Sequence, residues 1–330
     1  MSGENRSMIP LYPLRFRLLV RRYLWGNRRL ETCLGKPIGP GNDYAESWEV
    51  CDHGADQSIV DQGPLAGTTL GELVRQRGPE LLGRHHSQSS FPLLVKFLDA
   101  AQALSVQVHP NDEQAARLNP PDLGKTEAWY ILSTDPGSTI YAGLRPGVDR
   151  QQLADAICGG TCENMLHHFE PKAGDCLFIP AGTVHALGAG LLVAEVQQSS
   201  DTTFRLYDWN RFGPDGKPRP LHVESGLAVV DFQRGPVDPV QPQPSERPWV
   251  SHLVACDKFI MDRWEFDRPQ TIGGDDRFHI VCVLQGAVRI ERDPQKSPLS
   301  KGGTALLPAS LGPARLVPQQ RTVLLDAYMG

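Results

Sequence analysis

The stretch from Gly174 to His185, GDCLFIPAGTVH, runs glycine, five residues, proline, one residue, glycine, two residues, histidine. This order reads as a turn, an inward strand with Leu177 and Ile179, a Pro-Gly corner, and a second short strand that opens with His185. His185 is thereby fixed on a wall where it could ligate a metal. In LSVQVHP, Gln107 and His109 stand two apart in an alternating run, so Val106 and Val108 face one way and the two polar groups the other. Lys125 and Glu127 repeat the arrangement in GKTEAWYIL. His109, His185, Glu127 and Gln107 would supply two neutral imidazoles, one carboxylate and one amide oxygen, a mixed N/O set suited to one Zn2+ per chain with room for substrate. One carboxylate against a divalent cation leaves net positive charge, which suits an anionic or enolate-like species. Singly, each residue has a plainer reading: a core histidine, a loop start before Pro110, a strand-end charge, a satisfied amide. Convergence of two polar pairs and the corner histidine on one interior favours the metal.

These groups need strands to hold them, and the strands carry further charges. Lys96 interrupts the apolar run FPLLVKFLDA, a costly placement unless it faces a polar cavity. Asp201, Arg205, Asp208 and Arg211 follow the apolar strand in LLVAEVQQSSDTTFRLYDWNR. Helices are few. Thr69 with Glu72 predicts a capping box before LGELVRQRG, Asn111 or Asp112 caps EQAARL, and Asp149 opens RQQLADAIC. Lying between strands, at about 69–83, 111–118 and 149–167, they read as a small helical cap inserted into a β-domain. Short apolar runs separated by Gly and Pro elsewhere predict an all-β sandwich or barrel.

Gln233 to Pro248 holds five prolines in sixteen residues and reads as a stiff linker or extended crossing. Beyond it, FHIVCVLQGAVRIE and LSKGGTALLPASLG repeat the grammar, with five residues between Gly302 and Pro308 but no histidine at ligand spacing. The division expected is a catalytic domain over 1–232, the linker 233–248, and a second, metal-free barrel over 249–330. His279, alone on its strand, reads as packing or surface.

The 330 residues are 40% hydrophobic and 22% charged, which fits a globular protein and excludes disordered and membrane classes. Arginines scattered through the N-terminal apolar run deny it the core of a signal peptide or membrane span, so the cytoplasm is expected. Seven cysteines without a CxxC pair fit reduced thiols, and Cys158 with Cys162 reads as helix-loop packing. A net charge of −5 and no basic stretch interleaved with aromatics exclude nucleic acid and leave a small molecule as the partner.

The Gly-x5-Pro-x-Gly-x2-His element resembles the second motif of the cupin barrels. QVHPND, GKTEAWYIL, IPAGTVHALGAG and EVQQSSDTTFRLYDWNR, with AESWEV at 45–50, resemble the signature segments of the type I phosphomannose isomerases in their short bacterial form, over about Leu14 to Phe232. The resemblance implies a double cupin of jelly-roll β-barrels. It also implies a zinc-dependent aldose–ketose isomerase acting on mannose 6-phosphate and fructose 6-phosphate, a monomer or homodimer. It places the metal on Gln107, His109, Glu127 and His185, the active-site arginine on Arg205, substrate-handling lysines on Lys96 and Lys125, and an acidic position on Asp201. Which of Lys96, Lys125 and Asp201 carries the proton stays open, and phosphate would find its cations among Arg205, Arg211, Lys96 and Lys125. An Fe2+ cupin oxygenase would leave Lys96, Lys125 and Arg205 unexplained; a non-catalytic sugar-binding regulator would have no need of the intact ligand set.

Overall fold

Two strands, Leu93–Ala100 and Leu191–Gln198, are buried at every residue. Full burial requires cover on both faces, and the architecture supplies it. The computed structural model describes residues 9–212 and 216–330; residues 1–8 of the N-terminal run read above lie outside them. The two buried strands are central in a six-stranded antiparallel sheet ordered Leu19–Asn27, Tyr44–Val50, Leu93–Ala100, Leu191–Gln198, Glu127–Thr134, Cys176–Ile179. A five-stranded sheet lies against it, ordered Phe204–Tyr207, Val106–Val108, His185–Leu187, Ile140–Leu144, Leu166–Phe169. Trp25, Leu98, Trp129 and Ile131 of the first meet Ile140, Ala142 and Leu187 of the second in one core.

Residues of opposite parity cover the back of the six-stranded sheet. Val95, Phe97, Tyr130, Ala194 and Val196 join Met261, Ile280, Leu306 and Leu325 in the largest apolar cluster. The latter four belong to a second six-stranded sheet, ordered Gln243–Pro244, Val250–Ala255, Ile260–Phe266, Thr322–Tyr328, His279–Gln285, Thr304–Leu307. Its other face closes with a four-stranded sheet over Trp264, Phe266, Val281, Val283, Val288, Ile290 and Leu316. Two sandwiches therefore stack back to back, which is why the inner strands read as near-continuous apolar runs instead of alternating ones. The Pro-rich segment runs along the first sandwich, where Val237 N donates to Ala142 O at 3.0 Å and Val240 N to Cys176 O at 2.8 Å.

The expectation of jelly-roll β-barrels is corrected. The sheets are open: Leu19–Asn27 and Cys176–Ile179 end the first ladder as edges, with no hydrogen-bonded closure onto the facing sheet among the described residues. Bulky inner residues such as Trp25 and Trp129 fill the space between the sheets as in a sandwich, and the chain crosses from one sheet to the other at the Pro180–Gly182 corner. The single helical cap is corrected too. The capping box read at Thr69/Glu72 forms, and the caps read at Asn111 and Asp149 turn out to be capping boxes as well, closed by Gln114 and Gln152. The helices, however, serve different layers: Leu70–Leu82 buries Leu70, Leu73, Leu81 and Leu82 in the cluster between the sandwiches, whereas Arg150–Cys158 packs Leu153 and Ile157 behind the five-stranded sheet.

A candidate metal centre and its cavity

Period-2 alternation delivers the polar residues of both sheets to one end of the first sandwich. Val106, Val108, Val184, Ala186 and Leu206 pack outward behind the five-stranded sheet, so Gln107, His185 and Arg205 between them turn inward. His185 is in register with Gln107, and Gln107 with Arg205. From the opposite sheet, Glu127 opens its strand beside Ile179, and Glu195 sits in register with both Lys96 and Trp129. Gly182, at φ +85° in the corner, takes the left-handed turn that returns the chain to His185, and its N–H donates to His109 O at 2.8 Å.

His109, Glu127 and His185 are buried, with ligand atoms all within 4.8 Å of one another. His185 Nε2 lies 3.2 Å from Glu127 Oε1 and His109 Nε2 3.6 Å from Glu127 Oε2. Each imidazole has a backbone carbonyl at its other nitrogen: His109 Nδ1–H donates to Thr202 O and His185 Nδ1–H to Thr183 O, both at 2.9 Å. Those bonds fix the tautomer and aim both Nε2 lone pairs inward. Burial, then the nearby Lys125 charge, push both histidines down, His185 to about 3. They are therefore neutral at pH 7, the form that ligates.

The donor set fits a cation. Glu127 Oε1 is buried without a hydrogen-bond partner among the described residues and faces the lone pair of His185, acceptor against acceptor. Lys125 Nζ already serves part of the cluster, donating to Glu127 Oε2 at 2.6 Å and His109 Nε2 at 3.0 Å. The amide end of Gln107 reaches 3.3 Å from His185 Nε2 and offers either its nitrogen or, turned over, its oxygen.

A cavity of roughly 260 Å³ opens from this end, lined by Lys96, Lys125, Gln107, Asp201 and Arg205 among others. Lys96 Nζ lies 3.7 Å from both Glu46 and Glu195. Burial alone would push its ammonium down, but Glu46, Glu195, Asp201 and Glu127 outweigh that and push it up, so Lys96 is a firmly held cation. Asp201 is exposed at the rim. Arg205 donates from Nη1 to Pro220 O at 2.9 Å, and its buried Nε has no partner among the described residues.

Sequence reading missed three charged residues here. Glu195 accepts from Trp129 Nε1 at 2.9 Å, and burial followed by Glu127 pushes its carboxyl up. The signal was available, since Glu195 interrupts LLVAEVQQ as Lys96 interrupts its own run. Glu46 accepts from Trp48 Nε1 at 2.5 Å. Arg219 lines the cavity from a loop with no periodicity to betray it.

Comparison with known proteins agrees with this geometry. Residues 14–128 match the family described as phosphomannose isomerase type I, catalytic domain, and residues 250–324 the mannose-6-phosphate isomerase cupin domain. The chain is 35% identical to mannose-6-phosphate isomerase ManA of Bacillus subtilis (strain 168), over 92% of this chain and 95% of that protein. It is 34% identical to mannose-6-phosphate isomerase of Streptococcus mutans, over 91% and 93% of the two chains. The crystal structure of the mannose 6-phosphate isomerase from Bacillus subtilis superposes with a TM-score of 0.87 at 29% identity, covering 96% of this chain and 99% of that one.

Proposed function

This chain belongs to the type I phosphomannose isomerases, and we propose that it interconverts mannose 6-phosphate and fructose 6-phosphate by moving a proton between C1 and C2 through an enediol. It is an aldose–ketose isomerase with one zinc per chain. The observation that carries the reading is the buried pair of acceptors, Glu127 Oε1 and His185 Nε2, facing each other at 3.2 Å at the head of a cavity lined with cations. Bound at His109, Glu127 and His185, with Gln107 as fourth ligand, zinc supplies Lewis-acid stabilisation of the charge that the enediol develops.

The other roles fall to the chain's own side chains. Arg205, on the strand beside Gln107, stabilises the oxyanions of the enediol; a preorganised donor of this kind contributes about 3 kcal/mol to the barrier. Lys96, kept protonated between Glu46 and Glu195, donates to and orients a sugar hydroxyl and does not abstract protons. Lys125 beside His109 and Glu127, and Asp201 at the rim, are left as the groups that accept and return the proton. Residues 1–232 are the catalytic domain, 233–248 a linker and 249–330 a structural domain. The seven cysteines, all free, support a reducing compartment and hence the cytoplasm, where the enzyme works as a monomer or homodimer on a phosphosugar.

A coupled assay with mannose 6-phosphate, run with and without a chelator, tests the reading. Fructose 6-phosphate should form, stop on chelation and resume with zinc. No isomerisation by metal-replete protein overturns it.

A further inference from the structure

We infer that Asp112 is a positioning residue that holds Lys125 at the metal centre, and that Lys258 reaches across from the second sandwich to fix Asp112. The inference rests on the reading of Lys125 as a group that accepts and returns the substrate proton.

Lys125 has a demanding place and little of its own to keep it there. Its Nζ lies 2.6 Å from Glu127 Oε2 and 3.0 Å from His109 Nε2. The strand that carries Glu127 begins only at that residue, and the chain just ahead of it is irregular, so no ladder fixes the Lys125 backbone. A lysine has a flexible four-carbon stem, and a group that exchanges a proton must stand within hydrogen-bond reach of its target. The root of the stem therefore has to be held from outside the sheet.

The segment that follows His109 holds it. Three successive N–H groups are captured: Gly124 N donates to Asp112 Oδ1 at 2.8 Å, Lys125 N to Pro110 O at 3.0 Å, and Thr126 N to Gln198 Oε1 at 3.1 Å. Gln198 is itself oriented by Asp112, because its Nε2 donates to the same Oδ1 at 2.8 Å. One carboxylate oxygen thus governs the peptide N–H on either side of Lys125. The segments also touch closely: a Cβ on Gly124 would stand 2.5 Å from Asp112 N and 2.6 Å from Asn111 C, so only glycine lets the loop lie there. The other oxygen of Asp112, Oδ2, accepts from Lys258 Nζ at 2.7 Å, out of the turn between Val250–Ala255 and Ile260–Phe266 of the second sandwich. A carboxylate gripped on one oxygen by the first sandwich and on the other by the second cannot swing about its side-chain bonds. The second sandwich therefore does more than bury apolar surface; it lends a cation to the shell behind Lys125.

The test is Asp112→Ala in the full-length, zinc-loaded enzyme, with mannose 6-phosphate as substrate and zinc measured by elemental analysis. The expected result is kcat lowered about ten-fold or more, KM changed by less than about three-fold, and zinc still stoichiometric, because a misplaced proton carrier costs turnover and not binding. Asp112→Asn keeps the acceptor oxygen and should recover most of the lost kcat. Lys258→Met should lower kcat about two- to five-fold alone and no further on top of Asp112→Ala, since it acts through that carboxylate. Lys258 is partly exposed and has Asp257 as a second partner at 2.8 Å, so this variant tests the arrangement even where Asp112→Ala does not fold. An Asp112 that only stabilises the fold would lower the melting temperature and leave kcat of the zinc-loaded protein alone well below it, which overturns the assignment. Loss of zinc together with kcat also overturns it, because Asp112 would then serve the ligands and not Lys125, and so does a failure of Asp112→Asn to recover kcat. Full kcat in Lys258→Met overturns the part given to the second sandwich. An inactive wild type, or wild-type kcat in Lys125→Met, overturns instead the reading on which the assignment rests.

Discussion

Glu127 in the first sandwich and His279 in the second hold the same place. Each opens the penultimate strand of its six-stranded sheet, and each stands opposite the residue before the corner proline: Glu127 against Ile179 before Pro180, His279 against Leu307 before Pro308. The correspondence continues across the sheet, where the partners Lys96, Glu195 and Trp129 are matched by Asp262, Asp326 and Val281. Both sandwiches thus gather buried charge at one end, and they satisfy it in opposite ways. In the first, Glu127 meets two neutral imidazoles and keeps an oxygen with no partner among the described residues. In the second, His279 is itself the cation: Nδ1–H donates to Asp326 at 2.9 Å and Nε2–H to Asp275 at 3.1 Å. Burial would push His279 down, but Asp326 and Asp275 prevail and push it up to about 10. A site that carries its own imidazolium has no use for a metal. A site made of facing acceptors does.

Breaking the first site should have the largest effect. His185→Ala removes a neutral ligand and its tautomer-fixing bond to Thr183, so zinc and turnover should both fall to background, measured by elemental analysis beside the coupled assay. Stoichiometric zinc retained in that variant would remove His185 from the ligand set. Arg205→Ala should separate the two losses. Zinc stays, and kcat drops about 10²- to 10³-fold, the usual effect of deleting one oxyanion donor.

The two ends were not equally legible in the sequence. Gln107, His109, Glu127 and His185 stand on period-2 positions next to apolar residues, and that local parity alone turns them inward; the capping boxes are local in the same way. His279 looked solitary because one of its partners, Asp326, lies 47 residues away and meets it only across a sheet pairing. Arg219 was invisible for a related reason: it reaches Asp208 from a loop without strand or helix periodicity. Whether the sheets close is likewise non-local. The Gly-x5-Pro corner reports that the chain changes sheets, not whether Cys176–Ile179 finds another partner at its free edge. Glu195 is a different case, a charge in a buried run that deserved the same inference as Lys96.

Removing the imidazolium of the second sandwich tests the converse. His279→Gln leaves Asp326 buried beside Asp262 without its cation, and breaking a buried pair from one side costs about 3–5 kcal/mol of stability. Denaturant titration should show that loss, while zinc content and KM of the folded fraction stay at wild-type values, because His279 belongs to the other sandwich. Loss of zinc in His279→Gln would mean that the two ends are coupled.

The smallest effect is the one that distinguishes the two ends by sign. His185 is held near 3, below the ordinary 6.5 of an unfolded histidine, so in metal-free protein the unfolded chain binds more protons between those values. Its contribution to stability is complete above 6.5 and is lost as the pH falls from there toward 3. His279 is held near 10, so between 6.5 and 10 the folded protein is the one with the extra proton. Its contribution is complete below 6.5 and is lost as the pH rises toward 10. Tyr328, which packs on the His279 ring and donates to Asp262 at 2.9 Å, is itself pushed up by burial and by Asp262 and Asp326, so it stays neutral in the folded protein and adds its own loss of stability only as the pH approaches 10, in wild type and His279→Gln alike. Denaturation midpoints of zinc-stripped wild type and His279→Gln across pH 4 to 10 should therefore converge at the alkaline end and separate below it. Zinc-loaded wild type should exceed stripped protein by a margin that shrinks in acid, where protons and metal compete for His109 and His185. Parallel curves for wild type and His279→Gln from 6.5 to 10 would show that His279 does not hold its proton through that range, and the contrast between an imported and a built-in cation would fail.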